Sequence, residues 1–360
     1  MKKIILVIII FFIFNINTKA ALTSASSAIL MDMDSKRILY AEDIHKTQSV
    51  ASISKIMTGY IACESGKLSN TVTVGDEIEL AYGSSVYIKK DEKLTLKDLT
   101  YALMLRSGND ASLSIATYLS KSETNFVNLM NQKAKEIGMK NTIFNNPNGL
   151  DDNTKGNISS AFDMALLTSE AMKNSDYREI VKTKTYKLKT NKNTYIWNNK
   201  NKLLKTYKYT TGGKTGYTVK AKRTLVSTAS KDNLNLVVVT LNDGNDFKDH
   251  VNLFEYGYNN YTNHQILKKG LFNIYDDKYY KDYKLYINEN FSYPIMNTEI
   301  SNIVLKIELD KEKKHKKNSL VGTVKVLLND EIIHEQGIYI KDVKQKSSIL
   351  KTIKKWFEFD

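Results

Sequence analysis

The sequence predicts an α/β chain of the α+β kind: a sheet flanked by helices, an all-helical insertion between its early and late strands, then a small β-rich region and a short amphipathic helix. Three observations carry this. Short apolar runs separated by turn-like residues stand at 28–39 and again at 223–241. Between them, apolar residues recur at helical spacing over several segments. From about His264 the pattern changes to alternation, as in SNIVLKIEL, and returns to helical spacing only in the last residues.

In chain order, Met1, Lys2 and Lys3 precede an unbroken apolar run, 4–14, and mostly polar residues then lead to Ala20 and Ala21. A basic start, a short apolar core and small residues at the exit predict a secretory leader, residues 1–20, cleaved after Ala20. The run is well short of the roughly 20 residues needed to span a bilayer. Residues 28–39 read as a β-hairpin around the turn-like 32–36. In 52–64, Ile53, Ile56, Met57, Tyr60 and Ile61 are spaced for a buried helix. Further helical patterns lie at 96–105, 110–119, 123–138 with Gly138 as the stop, and 160–173. The stretch 145–157, rich in Asn, Asp and Gly and holding Pro147, reads as a loop. Strands are expected from Tyr186 on, including 223–229 and 234–241 across a turn at 231–233, and a helix over 249–258 closes this part. Beyond it, two β-rich runs meeting at Asn329–Asp330 read as a hairpin.

The formal charge is +14, and loss of the leader, which carries Lys2, Lys3 and Lys19, leaves +11. On an exported chain this favours acidic wall polymers or anionic lipid over nucleic acid. The single cysteine, Cys63, cannot form an internal disulfide, and its apolar helical setting makes it core. The five histidines are scattered without ligand spacing. No zinc site is legible, which argues against a metallopeptidase, and no metal or cofactor is expected.

Three short strings can carry chemistry. Ser52-Ile53-Ser54-Lys55 opens the buried helix. Residues three apart share a helical face, so Lys55 can reach the Ser52 hydroxyl and, if burial and a nearby cation keep it neutral, take its proton. Ser107-Gly108-Asn109 falls between two predicted helices. A hydroxyl there can relay a proton to a leaving amine, and the amide can bind a peptide group. Lys214-Thr215-Gly216 enters a strand after Gly212-Gly213. Its ammonium and hydroxyl suit a carboxylate, and Gly216 permits close backbone approach. Each string alone is ordinary; their order and contexts together are specific.

With ASISKIMTGY, GSSVYIKKDEKLTLKDLTYALMLRSGNDAS, NNPNGLDD and GGKTGYT, the chain resembles the low-molecular-mass penicillin-binding proteins of the serine D-alanyl-D-alanine carboxypeptidase type. The resemblance is strongest over 28–258. It implies a penicillin-binding/β-lactamase-like transpeptidase fold with an antiparallel sheet. It divides the chain into the leader 1–20, a serine peptidase domain 21–262, a small β-rich domain 263–346 and an amphipathic membrane-associated helix 347–360. It implies Ser52 as acylated nucleophile, Lys55 as its base and Ser107 as proton relay. Asn109 would contact a substrate amide, and Lys214 and Thr215 would hold the terminal carboxylate. Gly216 would line the site, and the Ser52 and Tyr217 N–H groups would form the oxyanion hole. The implied substrate is a peptidoglycan stem peptide ending in D-Ala-D-Ala, with β-lactams as acylating inhibitors. Three positions depart from the family pattern. Val50 stands for a usual proline, Lys200 for a frequent arginine near the carboxylate, and Lys222 for a frequent glycine, where it is expected to crowd the strand edge.

Two rivals are weighed. A serine β-lactamase would want a deacylating Glu in an E-x-x-L-N string between Ser107 and Lys214, and none is there. A non-catalytic wall-binding protein keeping the fold would be expected to lose Ser52, Lys55 or Lys214. At the C-terminus, Ile349, Leu350, Ile353, Trp356 and Phe357 share one helical face, with Lys351, Lys354 and Lys355 beside it. That pattern predicts a helix lying on the outer face of the cytoplasmic membrane.

Overall fold

The structure, a computed structural model, describes residues 22–151, 156–274, 278–311 and 315–343. The expected leader (1–20) and terminal helix (347–360) lie outside the described residues. Strands β1 (Ser27–Asp32) and β2 (Ile38–Glu42) form the expected hairpin. The two-residue strand β3 (Gln48–Ser49) leads into a 3-10 turn, Ala51–Ser54, that runs on as helix α1 (Lys55–Glu64). A small ladder, β4 (Thr71–Thr73) with β5 (Lys93–Thr95), precedes α2 (Leu96–Tyr101). A capping box explains why α2 starts there: Thr95 Oγ1 accepts from Asp98 N at 3.0 Å, and Asp98 Oδ2 accepts from Thr95 N at 2.8 Å.

The insertion continues with α3 (Asn109–Ser120) and α4 (Glu123–Ile137). Helix α4 stops at Gly138, whose φ of 88° is left-handed, as a helix C-terminus favours. After the bridge strand β6 (Ile158–Ser159), which pairs with β3, come α5 (Ala161–Ala171) and α6 (Ser175–Lys182). Helix α6 was not anticipated from the sequence; it is short, and only Tyr177, Ile180 and Val181 are buried. The hairpin β7 (Thr185–Lys189)/β8 (Thr194–Asn198) and the single turn α7 (Leu203–Thr206) lead to β9 (Thr210–Thr218), β10 (Lys222–Lys231) and β11 (Leu234–Leu241). Helix α8 (Asp246–Asn260) closes this part, three residues earlier than expected.

The main sheet has the order β2-β1-β11-β10-β9 and is antiparallel throughout. Its middle strands are buried on both faces. Ile29, Met31, Val226, Val237 and Val239 face a core shared with α1, α2, α3 and α5. Ala28, Leu30, Leu225, Leu236 and Val238 face a second core with Leu253 and Phe254 of α8. Double-sided burial is why these strands read as unbroken apolar runs rather than as alternation. The β10–β11 connection puts Asp232 and Asn233 at φ 51° and 60°, the two left-handed residues of a tight hairpin turn.

The remaining strands β12 (Thr262–Leu267), β13 (Gly270–Leu271), β14 (Tyr283–Ile287), β15 (Phe291–Ile295), β16 (Ile303–Leu309), β17 (Leu320–Leu328) and β18 (Glu331–Val343) form a second β region. Its five-stranded sheet, β13-β14-β18-β17-β16, carries its own core around Val321, Val324, Val326, Ile338 and Ile340. Asn329 and Asp330, both at positive φ, make the hairpin turn read from the sequence. Arg37, in the β1–β2 turn, ties this region to the main sheet. Its guanidinium lies 5.2 Å from the Tyr261 ring and 5.1 Å from the Tyr293 ring, and it pairs with Glu299 at 2.6 Å.

His250 of α8 is fully buried against the sheet, with Thr240 Oγ1 3.0 Å from Nε2 and Ser227 Oγ bonded to Nδ1. Burial pushes its imidazole down to about 3. The unfolded chain binds this proton near the ordinary value of about 6.5. Below that pH the unfolded state therefore holds the extra proton, and stability falls as pH drops toward 3. Between pH 7 and pH 5 this one ring should cost about 2 kcal/mol. Urea denaturation of wild type and His250→Gln at both pH values checks it: the wild type should lose about 2 kcal/mol more than the variant.

Candidate active site

The Ser52 turn is built under constraint. Ala51 has φ 50°, a left-handed conformation that costs an L-residue roughly 1–2 kcal/mol. It is held from several sides. Val50 N donates to Asn157 O at 3.3 Å, Thr224 Oγ1 donates to Val50 O at 3.0 Å, and Ser54 Oγ donates to Ala51 O at 2.8 Å. The loop carrying NNPNGLDD packs beneath it: a Cβ on Gly149, whose φ is 77°, would lie 2.1 Å from Ala51 O. Only glycine fits there.

Lys55 is fully buried on the first turn of α1. Its Nζ lies 3.1 Å from Ser52 Oγ and 2.7 Å from Asn109 Oδ1, and it bonds the main-chain oxygen of Asn148. The two carbonyl oxygens can only accept. They take both hydrogens of a neutral amine, which leaves its lone pair directed at the Ser52 hydroxyl. Neutrality is favoured: burial, then the charges of Lys214 and Lys200, hold the Lys55 amine well below the ordinary lysine range. The opposing acid, Asp110, has its carboxylate occupied by the main-chain N–H groups of Val86, Tyr87 and Ala111 at 3.1, 2.7 and 2.9 Å. Among the described residues, no carboxylate forms an ion pair with Lys55.

Ser107 ends a π-helical turn, Ala102–Arg106, that extends α2, and adopts φ 65°. Such turns recur at functional sites because they displace a side chain from the helical register. Ser107 Oγ accepts from Lys214 Nζ at 3.0 Å, so its own hydrogen is free to point into the cleft. Lys214, on β9, is also buried and donates to Thr215 O at 2.7 Å. Burial and then the Lys200 charge pull its ammonium down to about 7.

These groups open onto a cleft of about 450 Å³ lined by Ser52, Ser84, Ser107, Lys200, Lys202, Thr215, Gly216, Tyr217, Arg223, Asp246 and Phe247. The structure thus brings all three sequence motifs to one place. It also shows what the sequence did not. Asn109 is turned toward Lys55, and its Nδ2 donates to Tyr82 O at 2.5 Å, so both ends of the amide are engaged within the protein. A Cβ on Gly216 would lie 2.4 Å from Thr224 Oγ1 and 3.0 Å from Ser52 N. Glycine is required there by the approach of β9 to the Ser52 turn. Lys222 does not crowd the strand edge: its side chain is exposed, and the departure is absorbed by a backbone φ of 58°. Lys200 reaches Ser84 Oγ at 3.4 Å. Asn148, Ser84, Lys202 and the Arg223–Asp246 pair at 2.5 Å were not foreseen, though the NPNG turn was a visible signal for the first.

The chain is similar to known proteins over most of its length. A family model described as D-alanyl-D-alanine carboxypeptidase matches residues 15–245. A second, described as the C-terminal domain of penicillin-binding protein 5, matches residues 261–346. The chain is 30% identical to D-alanyl-D-alanine carboxypeptidase DacF of Bacillus subtilis, over 93% of this chain and 90% of that protein. It is 28% identical to DacC of Escherichia coli, over 90% and 85%. The structure of penicillin-binding protein 5 from Haemophilus influenzae superposes with a TM-score of 0.73 at 27% identity, covering 89% of this chain and 97% of that one.

The two lysines predict a bell-shaped pH profile for acylation of the free enzyme by penicillin. The rate rises as Lys55 loses its proton and falls as Lys214 loses its charge near 7. Lys200 lowers both groups, so Lys200→Met should move both limbs to higher pH. Measuring the second-order acylation constant over roughly pH 5 to 10, below the ordinary lysine value of about 10.4, checks the direction.

Proposed function

The chain belongs to the D-alanyl-D-alanine carboxypeptidase family, and from that premise we propose how its own residues carry the reaction. The protein is a serine-type D-alanyl-D-alanine carboxypeptidase, a hydrolase that acts on peptidoglycan peptides and binds β-lactams. Ser52 Oγ attacks the carbonyl carbon of the penultimate D-Ala while its proton passes to Lys55. The Ser52 and Tyr217 N–H groups receive the developing oxyanion. The C–N bond breaks, the terminal D-Ala leaves, and its amine takes a proton through Ser107. Water then attacks the ester, the C–O bond breaks, and the proton returns to Ser52. Lys214, Thr215 and Lys200 hold the terminal carboxylate. Asn109 serves chiefly by orienting Lys55.

The observation that carries this reading is the Lys55 amine, buried between two carbonyl oxygens with Ser52 Oγ 3.1 Å away. Once Lys55 is protonated, the same triangle supplies three acceptors for three N–H donors, so proton transfer needs no rearrangement. D-Ala release from a synthetic peptide ending in D-Ala-D-Ala tests it. Ser52→Ala should abolish both release and covalent penicillin labelling. The C-terminally amidated peptide should react about ten- to a hundredfold more slowly than the acid, the worth of one charged hydrogen-bonded contact. Equal rates on acid and amide would remove Lys214 from its role.

Members of the family act outside the cytoplasm, and the basic, apolar start of the chain supports export. No helix among the described residues is long and apolar enough to cross a membrane. The amphipathic pattern of 347–360 supports a surface-lying tether that keeps the cleft near the wall. Deleting 347–360 should move the mature protein from membrane to soluble fraction and leave turnover of a soluble peptide unchanged. A truncated protein still found on the membrane would refute the tether.

A further inference from the structure

The NNPNGLDD string contains one carboxylate whose contacts the reaction scheme leaves unexplained. Asp151 Oδ1 accepts from Ser49 Oγ at 2.6 Å, and Asp151 Oδ2 accepts from Thr218 Oγ1. Ser49 is the last residue of β3, three before Ser52. Thr218 is the last residue of β9, immediately after Tyr217. A single carboxylate therefore bridges the two segments whose N–H groups receive the oxyanion. It is packed in place: a Cβ on Gly156 would lie 2.1 Å from Asp151 Oδ1.

We propose that Asp151 is a positioning residue for the oxyanion site, setting the separation between the Ser52 turn and the Tyr217 end of β9. The physical need is specific. An oxyanion hole works only when its donors sit 2.7–3.1 Å from the developing charge, at about hydrogen-bond length. A misplacement of about 1 Å can cost on the order of a hundredfold. The Ser52 turn is prone to such movement, because Ala51 at φ 50° would relax if released. At its inner side the turn is already fixed to the sheet by the Thr224–Val50 bond and by the contact at Gly216. At the outer side, beyond Tyr217, the Asp151 bridge is the corresponding tie. Asp151 touches neither Lys55 nor Lys214 among the described hydrogen bonds, so it acts on geometry and not on proton transfer or carboxylate binding.

The inference rests on Ser52 as the acylated residue, and mass mapping of the labelled peptide in the wild type tests that premise separately. With the full chain, penicillin acylation is resolved into the dissociation constant of the initial complex and the acylation rate constant. Asp151→Ala should lower the rate constant tenfold or more while leaving the dissociation constant within twofold. Thr218→Val, which removes the hydroxyl and keeps the shape, should lower the same rate constant. The losses should be less than additive in the double variant, since both substitutions break the one bridge, Thr218 Oγ1 otherwise only accepting from Ala221 N at 3.0 Å. Asp151→Asn, which keeps an acceptor for one hydroxyl, should recover part of the rate. The pH position of the acylation profile should be unchanged in all of them. A folded Asp151→Ala or Thr218→Val protein with wild-type acylation would overturn the proposal. So would a loss confined to the dissociation constant, or additive losses in the double variant.

Discussion

The site depends on placing an amine where water cannot hold its charge. An isolated ammonium in a protein interior is so costly that a lysine there gives up its proton. Lys55 meets that condition because α1 is buried from Lys55 to Cys63 and is roofed by the helical insertion. Lys214 is buried from the other side, on the edge strand of the main sheet, and is lowered less far, to about 7. The charge of Lys214 lowers Lys55 because sheet and insertion close on the same cleft. The fold thus works as a clamp that brings two lysines together in a buried setting, where burial first and then the charge of Lys214 favour a neutral Lys55.

Supporting that arrangement requires polar groups spent on structure rather than on substrate. Pro147 O accepts from Thr58 Oγ1 and from Ser112 Oγ, both at 2.7 Å, so the 145–150 loop is bolted to α1 and α3. The loop can then offer Asn148 O to Lys55 at a fixed height. The Asp110 carboxylate gathers the N–H groups of the 86–88 segment, and Asn109 N donates to Ser84 O at 2.7 Å. That places Ser84 on the cleft wall opposite β9. A buried network of this kind is stable only when each member is satisfied, which ties these two loops and the start of α3 to one geometry.

Among the described residues, the second β region contributes no side chain to the cleft lining. It has its own core and meets the main sheet where Arg37 lies between two tyrosine rings. That contact joins it to the β1–β2 turn, on the sheet edge away from β9 in the strand order.

Much of this was readable in one dimension. Strand and helix periodicity located the main elements, because burial on one face or on two leaves a local pattern in residue type. The local settings of Ser52, Lys55, Ser107 and Lys214 were legible because they are short-range: three residues along a helical turn, a turn after a helix, a strand. Helix α6 was not, since it is only eight residues long and mostly polar, with Tyr177, Ile180 and Val181 as its buried residues. Other features are long-range by nature. The Asn109 amide reaches Lys55 54 residues away, the Asn148 oxygen reaches it from 93 residues away, and Asp151 spans 102 residues to Ser49 and 67 to Thr218. A main-chain carbonyl has no identity in a sequence, and an aspartate in a polar loop looks like solvent-facing turn chemistry. Only the folded chain decides which hydroxyls it meets, because those contacts are set by how sheet and insertion pack and not by any neighbour along the chain.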